Sequence, residues 1–380
     1  MKTTVEAGRI VIPPELRPSD GRFGSGPSKV RPEAVAALHQ AAPNYLGTSH
    51  RQEPVRSVVR RLREGLIALF ELPDGYEVIL GTGGTTAFWD AMAFGVIERR
   101  SQHFVFGEFS TKCMQAVALA PHLLPPEVVE SEAGSHPVAR AAEGVDVYAL
   151  THNETSTGVA MPVRRIGEGG IVAVDATSAA GGLEVDPHDF DLYYFAPQKA
   201  FASDAGVWIA LCSPAAIERI ERIADSDRYV PPSLDLLIAL ENSRRDQTYN
   251  TPPLATLFLM VEQLDWMLAN GGLAWAIARS ARSADIVYAW AEEHEVLAPF
   301  VRDPAMRSKV VATIDLDESV SSAALTFSLR SNGIVDTEPY RKLGRNQIRV
   351  GLYPAVDPPD VEALTRCIDF VLDALVAAPA

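Results

Sequence analysis

Cysteine is scarce in this chain. The three present, Cys113, Cys212 and Cys367, form no CxxC pair and show no metal-ligand spacing. A disulfide scaffold is therefore not expected, and the usage fits a reducing compartment. No apolar run reaches the roughly 18 residues that a membrane helix needs. No apolar leader follows Met1, so a cytoplasmic protein without a signal peptide is the expectation. Positive charge is short as well: 34 Lys and Arg stand against 49 Asp and Glu, a net charge of −15. That balance argues against nucleic acid as a partner, and an anionic substrate would have to meet a local cluster of arginines. The familiar phosphate signatures are missing too, since neither a GK[ST] nor a GxGxxG spacing occurs. No internal repeat or low-complexity segment stands out.

What is present suits a large globular enzyme. Of 380 residues, 47% are hydrophobic and 22% charged, enough for a sizeable core and two domains. Short apolar runs at 78–80, 104–106, 147–150, 171–174, 192–195 and 207–211 alternate with helical patterns. One helix carries Val55, Val58, Val59, Leu62, Leu66 and Leu69. Nearly continuous apolar strands between helices predict an α/β fold with a mostly parallel sheet covered on both faces. After about Leu254 come two long helices, then strand 310–316, helix 321–331, strand 347–352 and a last helix opened by Asp357-Pro358. The expected division is an N-terminal arm at 1–22, a large domain at 23–258 and a smaller α+β domain at 259–380.

The most telling feature is Ala196-Pro197-Gln198-Lys199, directly after the strand Leu192-Tyr193-Tyr194-Phe195. A lysine leaving a buried strand loses hydration and its pKa falls, which a Schiff-base lysine needs because only the neutral amine attacks an aldehyde. The strand Ile171–Val174 ends on Asp175. An acid for a pyridinium nitrogen and a lysine for an aldehyde are what pyridoxal phosphate asks of a protein.

Other groups follow predicted strands, each with a bland alternative. Gly83-Gly84-Thr85-Thr86 at a strand–helix junction suits a phosphate, or is only a tight turn. Phe109 can stack on a planar cofactor or belong to the core. Thr155, in His152-Asn153-Glu154-Thr155, can bond a ring oxygen or cap a helix. Arg51, in Ser49-His50-Arg51, can clamp an anion or be solvated. Arg349 lies inside an apolar strand and calls for a carboxylate, from a substrate or from an internal acid. Asn250-Thr251 lies in a polar turn. Open α/β sheets bind ligands at the C-terminal ends of their strands, where these groups are expected.

As a set these motifs resemble phosphoserine aminotransferases, fold-type-I pyridoxal-phosphate enzymes of aminotransferase class V. The likeness runs from Gly24-Ser25-Gly26-Pro27-Ser28 to the last helix. Gly47-Thr48-Ser49-His50-Arg51, Ala87-Phe88-Trp89-Asp90 and the segment 336–347 are similar to the actinobacterial branch. The resemblance implies that Lys199 bonds the cofactor and moves the proton between Cα and C4′, and that Asp175 holds the pyridine nitrogen. It gives Thr155 to the ring oxygen and Phe109 to ring stacking, where many members have Trp. Thr85, Thr86 and Gln198 would hold the phosphate, with Asn250 and Thr251 arriving from the other subunit of a homodimer. Arg349 would take the α-carboxylate, and His50 and Arg51 the distal anion. The His-Arg pair usual before the Arg349 strand is absent, and Arg341, Lys342 and Arg345 surround its place.

The implied reaction is amino transfer between O-phospho-L-serine and 2-oxoglutarate in serine biosynthesis, with the phosphorylated hydroxythreonine of vitamin B6 (pyridoxine) biosynthesis left open. The alternatives are an alanine–glyoxylate type aminotransferase, a cysteine-desulfurase-like lyase, or a non-catalytic pyridoxal-phosphate-binding protein. A desulfurase needs a nucleophilic cysteine on a mobile loop, whereas Cys367 falls in a helical pattern. Keeping both Asp175 and Lys199 speaks against a binding role alone.

Overall fold

The computed structural model describes residues 10–167 and 169–377. Its first elements are helices α1 (Pro32–Tyr45) and α2 (Glu53–Leu69), then β1 (Glu77–Thr82), α3 (Thr85–Gly95), β2 (Ser101–Val105), α4 (Glu108–Ala118) and β3 (Glu127–Glu130). Next come β4 (Val147–Thr151), the short pair β5 (Asn153–Glu154) and β6 (Val159–Ala160), β7 (Ile171–Asp175), β8 (Leu192–Phe195) and β9 (Val207–Cys212). Helices α5 (Pro214–Ala224), α6 (Leu236–Ser243), α7 (Leu254–Ala269) and α8 (Gly272–Glu293) follow. The chain closes with β10 (Leu297–Pro299), β11 (Val311–Leu316), α9 (Ser322–Ser331), β12 (Gln347–Gly351) and α10 (Pro358–Ala377).

Seven strands form the main sheet in the order β1-β9-β8-β7-β4-β2-β3. Strand β9 pairs antiparallel with both β1 and β8, and the remaining pairs are parallel. The two-residue period of a strand divides each one between two cores. Val78, Leu80, Val172, Val174, Tyr193 and Phe195 pack on one face with α2 and α7. Ile79, Ile171, Ala173, Leu192 and Tyr194 pack on the other with α3, α5 and α6. Both faces are covered, which is why these strands read as unbroken apolar runs. Parallel register brings Thr151 beside Asp175 and Asp175 beside Tyr194, so the C-terminal ends of β4, β7 and β8 share one edge.

A three-stranded antiparallel sheet, β10-β11-β12, carries a separate core. Helix α7 packs through Leu257, Met260, Val261, Leu264 and Met267 on the main sheet. Along α8, Ala276 joins the first core while Ala284, Val287, Tyr288 and Ala291 join the second. Of the expected arm, residues 1–9 lie outside the described ones, and Ile12 is 0% exposed in the second core. Arg17 donates to the Ile12 carbonyl at 2.6 Å and to Asn332 Oδ1 at 3.1 Å, fastening the segment to the end of α9.

Ile12→Ala should therefore act as a core truncation, destabilising the protein by about 2–5 kcal/mol in urea unfolding. A change below about 0.5 kcal/mol, as at a surface position, would return the segment to an arm.

Candidate active site

Lysine 199 stands in the turn after β8 and is buried. Its Nζ donates to the Ser25 carbonyl oxygen at 2.8 Å. The segment before α1 is folded over it: Ser28 donates through Oγ to the Lys199 carbonyl at 2.5 Å and through N to the Gln198 carbonyl at 2.9 Å. Glycine is required at position 26, where a Cβ would lie 1.8 Å from Nζ. Burial, with the Arg349 charge adding to it and Asp175 opposing, brings the Lys199 amine down from its ordinary range to about 7.

Aspartate 175 ends β7, also buried. Its Oδ1 accepts from Thr177 N at 3.0 Å and Thr177 Oγ1 at 2.5 Å, and its Oδ2 accepts from Trp89 Nε1 at 2.9 Å. Burial pushes this carboxyl up, while these donors favour the ionised form.

One cavity is lined by Thr85, Thr86, Trp89, Phe109, Thr151, Asn153, Thr155, Asp175, Thr177 and Lys199. Six of the expected residues thus come together from the ends of five strands. Thr85 and Thr86 open α3, whose N-terminus has no side-chain cap, leaving its first amides available to an anion. Thr155 Oγ1 donates to Ser178 Oγ at 2.7 Å. Arg349, on β12, reaches across from the second core and donates through Nη1 to the Thr155 carbonyl at 3.0 Å. Its neighbours are the neutral side chains of Tyr353 and Tyr340, it forms no ion pair among the described residues, and burial lowers its pKa. The Arg349 Nε and the Gln198 Oε1 are buried without a hydrogen-bond partner among the described residues, as suits side chains shaped for a polar ligand.

His50 and Thr251 meet each other, Nδ1 to Oγ1 at 3.1 Å, but neither lines this cavity. Arg51 and Asn250 are exposed and also lie off it. Of the three cations near the missing pair, Arg345 forms two bonds to Asp315, at 3.0 and 2.6 Å, and Lys342 is tied to Glu108 at 2.5 Å. Arg341 is exposed. A wider cleft of about 540 Å³ is lined by Asp20, Lys29, Arg31, Trp266 and Asp357. Its Lys29 is satisfied by Asp357 at 3.0 Å and Asp20 at 3.5 Å, so that cleft offers no free reactive group of this kind.

Three contributors escaped sequence reasoning. Glu154, 0% exposed, accepts from Phe109 N at 3.1 Å, Ser110 N at 3.0 Å and Ser156 Oγ at 2.6 Å. It caps α4 with a negative charge and so fixes the helix that carries Phe109. Gly107 is needed for this approach, because a Cβ there would lie 2.4 Å from Glu154 Cγ. Tyr340 lies 6.0 Å from the Phe109 ring and 5.4 Å from the Arg349 guanidinium. Trp89 entered the sequence reading only within the motif Ala87–Asp90, with no role of its own.

A model of the class-V aminotransferase family matches residues 23–364. The chain belongs to the class-V aminotransferases. A chain from Mycobacterium avium (strain 104) is 59% identical over 371 residues, 97% of this chain and 99% of its own. A phosphoserine aminotransferase from Nocardioides sp. (strain ATCC BAA-499 / JS614) is 56% identical over 370 residues, 96% of this chain and 99% of its own. Among solved structures, a phosphoserine aminotransferase from Cytophaga hutchinsonii superposes with a TM-score of 0.86 at 23% identity. It covers 92% of this chain and 99% of that one, a likeness of fold.

The cofactor of this class-V aminotransferase is pyridoxal 5'-phosphate. The residues present fit it: a depressed amine for the aldehyde, a hydrogen-bonded carboxylate for a ring nitrogen, and an uncapped helix start for a phosphate. The cysteines do not support lyase chemistry, since all three are buried, none lines the cavity, and burial raises each thiol's pKa.

The pH dependence of the amine tests this geometry. With cofactor-free protein, borohydride-trapped pyridoxal phosphate on Lys199 should increase with pH through about 7, as the neutral amine forms, and then level off. Peptide mass spectrometry showing a rise that continues to about pH 10, where ordinary lysines titrate, would refute the depressed amine.

Proposed function

We propose that the chain transfers an amino group between O-phospho-L-serine and 2-oxoglutarate, working physiologically toward phosphoserine and glutamate. The observation that carries this reading is the joint burial, in one cavity, of a lowered amine at Lys199 and a hydrogen-bonded carboxylate at Asp175, beside an arginine with no acidic partner among the described residues. The name of the Nocardioides relative supports phosphoserine as the donor.

Bound pyridoxal phosphate supplies an aldehyde that captures the amino group and a ring that withdraws electrons from Cα. Lys199 would hold the cofactor through its amine and, as a neutral amine, would carry the proton between Cα and C4′. Asp175 would keep the ring nitrogen positive, Thr155 would bond the ring oxygen, and Phe109 would cover the ring face. Thr85, Thr86 and Gln198 would hold the phosphate at the start of α3.

Arg349 takes the α-carboxylate that every substrate shares. The site is completed by a second copy of the chain, in a homodimer, with His50, Arg51, Asn250 and Thr251 serving the partner's cavity. Their position away from their own cavity supports this. Arg51 meets the distal anion, phosphate in one substrate and carboxylate in the other. Arg341 and Lys342 stand on the loop before β12, and Lys342 would have to leave Glu108 to join it. A phosphorylated hydroxythreonine presents the same two anions and fits the same contacts. Three unpaired cysteines fit a cytoplasmic enzyme of serine biosynthesis.

Variants of the two arginines test the assignment. Arg349→Ala should weaken phosphoserine and alanine alike. Arg51→Ala should lower kcat/KM for phosphoserine by about one to two powers of ten, the worth of a charge-assisted bidentate contact, and spare alanine. Equal losses on both donors in Arg51→Ala would remove it from distal-anion recognition. Lys199→Ala should bind the cofactor and not turn over, and normal turnover by that variant would sink the mechanism.

A further inference from the structure

We propose that Trp89 and Thr177 are positioning residues that keep the proton shared between Asp175 and the cofactor ring nitrogen on the nitrogen. The inference rests on the reading of Asp175 as that nitrogen's partner and adds what makes Asp175 able to serve.

Asp175 is 4% exposed and has no ion pair among the described residues. A carboxylate and a pyridine nitrogen facing each other compete for one proton. Removing water from the carboxylate favours the neutral pair, with the proton on oxygen and an electron-rich ring. Each hydrogen bond donated to the carboxylate lowers its proton affinity and moves the proton back to nitrogen.

Two independent elements supply those donors. The turn after β7 folds Thr177 back so that both its N and its Oγ1 reach Oδ1, at 3.0 and 2.5 Å. Helix α3 delivers the indole Nε1 to Oδ2 at 2.9 Å. Trp89 is four residues after Thr85, on the same face of α3, so the helix whose first turn faces the cavity also carries this donor. The rest of the indole is buried in the core under the sheet, which fixes its direction. Among the groups acting through space, Glu154 raises the proton affinity of Asp175, so it is the donated hydrogen bonds that lower it.

The test uses holoenzyme reconstituted with pyridoxal phosphate labelled with 15N in the ring, whose chemical shift reports protonation of that nitrogen directly. Wild type should show a protonated nitrogen, and Asp175→Asn an unprotonated one. Trp89→Phe, which keeps the ring and loses the N–H, should shift the resonance toward the unprotonated value and reduce kcat by about tenfold. Thr177→Val, nearly isosteric, should shift it in the same direction should Trp89→Phe fail to fold. An unprotonated nitrogen in wild type, or no change in Asp175→Asn, would overturn the reading of Asp175 and the inference with it. A shift that moves in Asp175→Asn and stays at the wild-type value in Trp89→Phe and Thr177→Val would overturn the inference alone.

Discussion

A lysine amine kept in the interior against a carbonyl, rather than a carboxylate, is the constraint on which the rest of this structure depends. An ion pair would have held Lys199 charged and unreactive. The Ser25 carbonyl accepts from Nζ at 2.8 Å and from the Tyr353 hydroxyl at 2.9 Å, which gives the amine a direction without a counter-charge. That arrangement needs the Gly24–Ser28 segment in place. Its anchors come from both cores: Ser28 on the Lys199 turn, and the Phe23 carbonyl on Gly351 N at 2.7 Å. A buried amine of lowered pKa costs stability, and the two cores meeting around it offset that cost.

The sheet converts this local demand into a site. Parallel strands end at one edge, and there β1, β2, β4, β7 and β8 each release a turn carrying a polar or aromatic side chain. Charged side chains at and around the cavity are then held by neutral hydrogen-bonding groups more than by ion pairs. Trp89 and Thr177 serve Asp175, backbone amides and hydroxyls serve Glu154, and a carbonyl serves Arg349. Such charges stay available to a ligand of opposite sign.

Much of this was legible in the sequence, for a physical reason. Strands buried on both faces appear as apolar runs, and the residue types just past them identify the edge that binds. Lys199, Asp175, Thr85, Thr86, Phe109 and Thr155 are all of this kind. Helix α1 was not legible, because it is alanine-rich, buries only Ala34 and Tyr45, and contains Pro43. The reversed direction of β9 leaves no mark in a fully buried strand. Ile12 was hidden because its partners lie some 300 residues away, as in its bond to Asn332. Trp89 and Glu154 were hidden for a related reason. Their chemistry lies in contacts to Asp175, 86 positions on, and to Ser110, 44 positions back, that no local pattern carries.

Amino transfer to 2-oxoglutarate from O-phospho-L-serine, set against transfer from L-alanine with the same holoenzyme, is the most direct measurement. Glutamate should form with a kcat/KM about ten- to a hundredfold higher for phosphoserine, reflecting one distal charge-assisted contact. A preference for alanine, or no glutamate from either donor, would contradict the assignment of this cavity to phosphoserine.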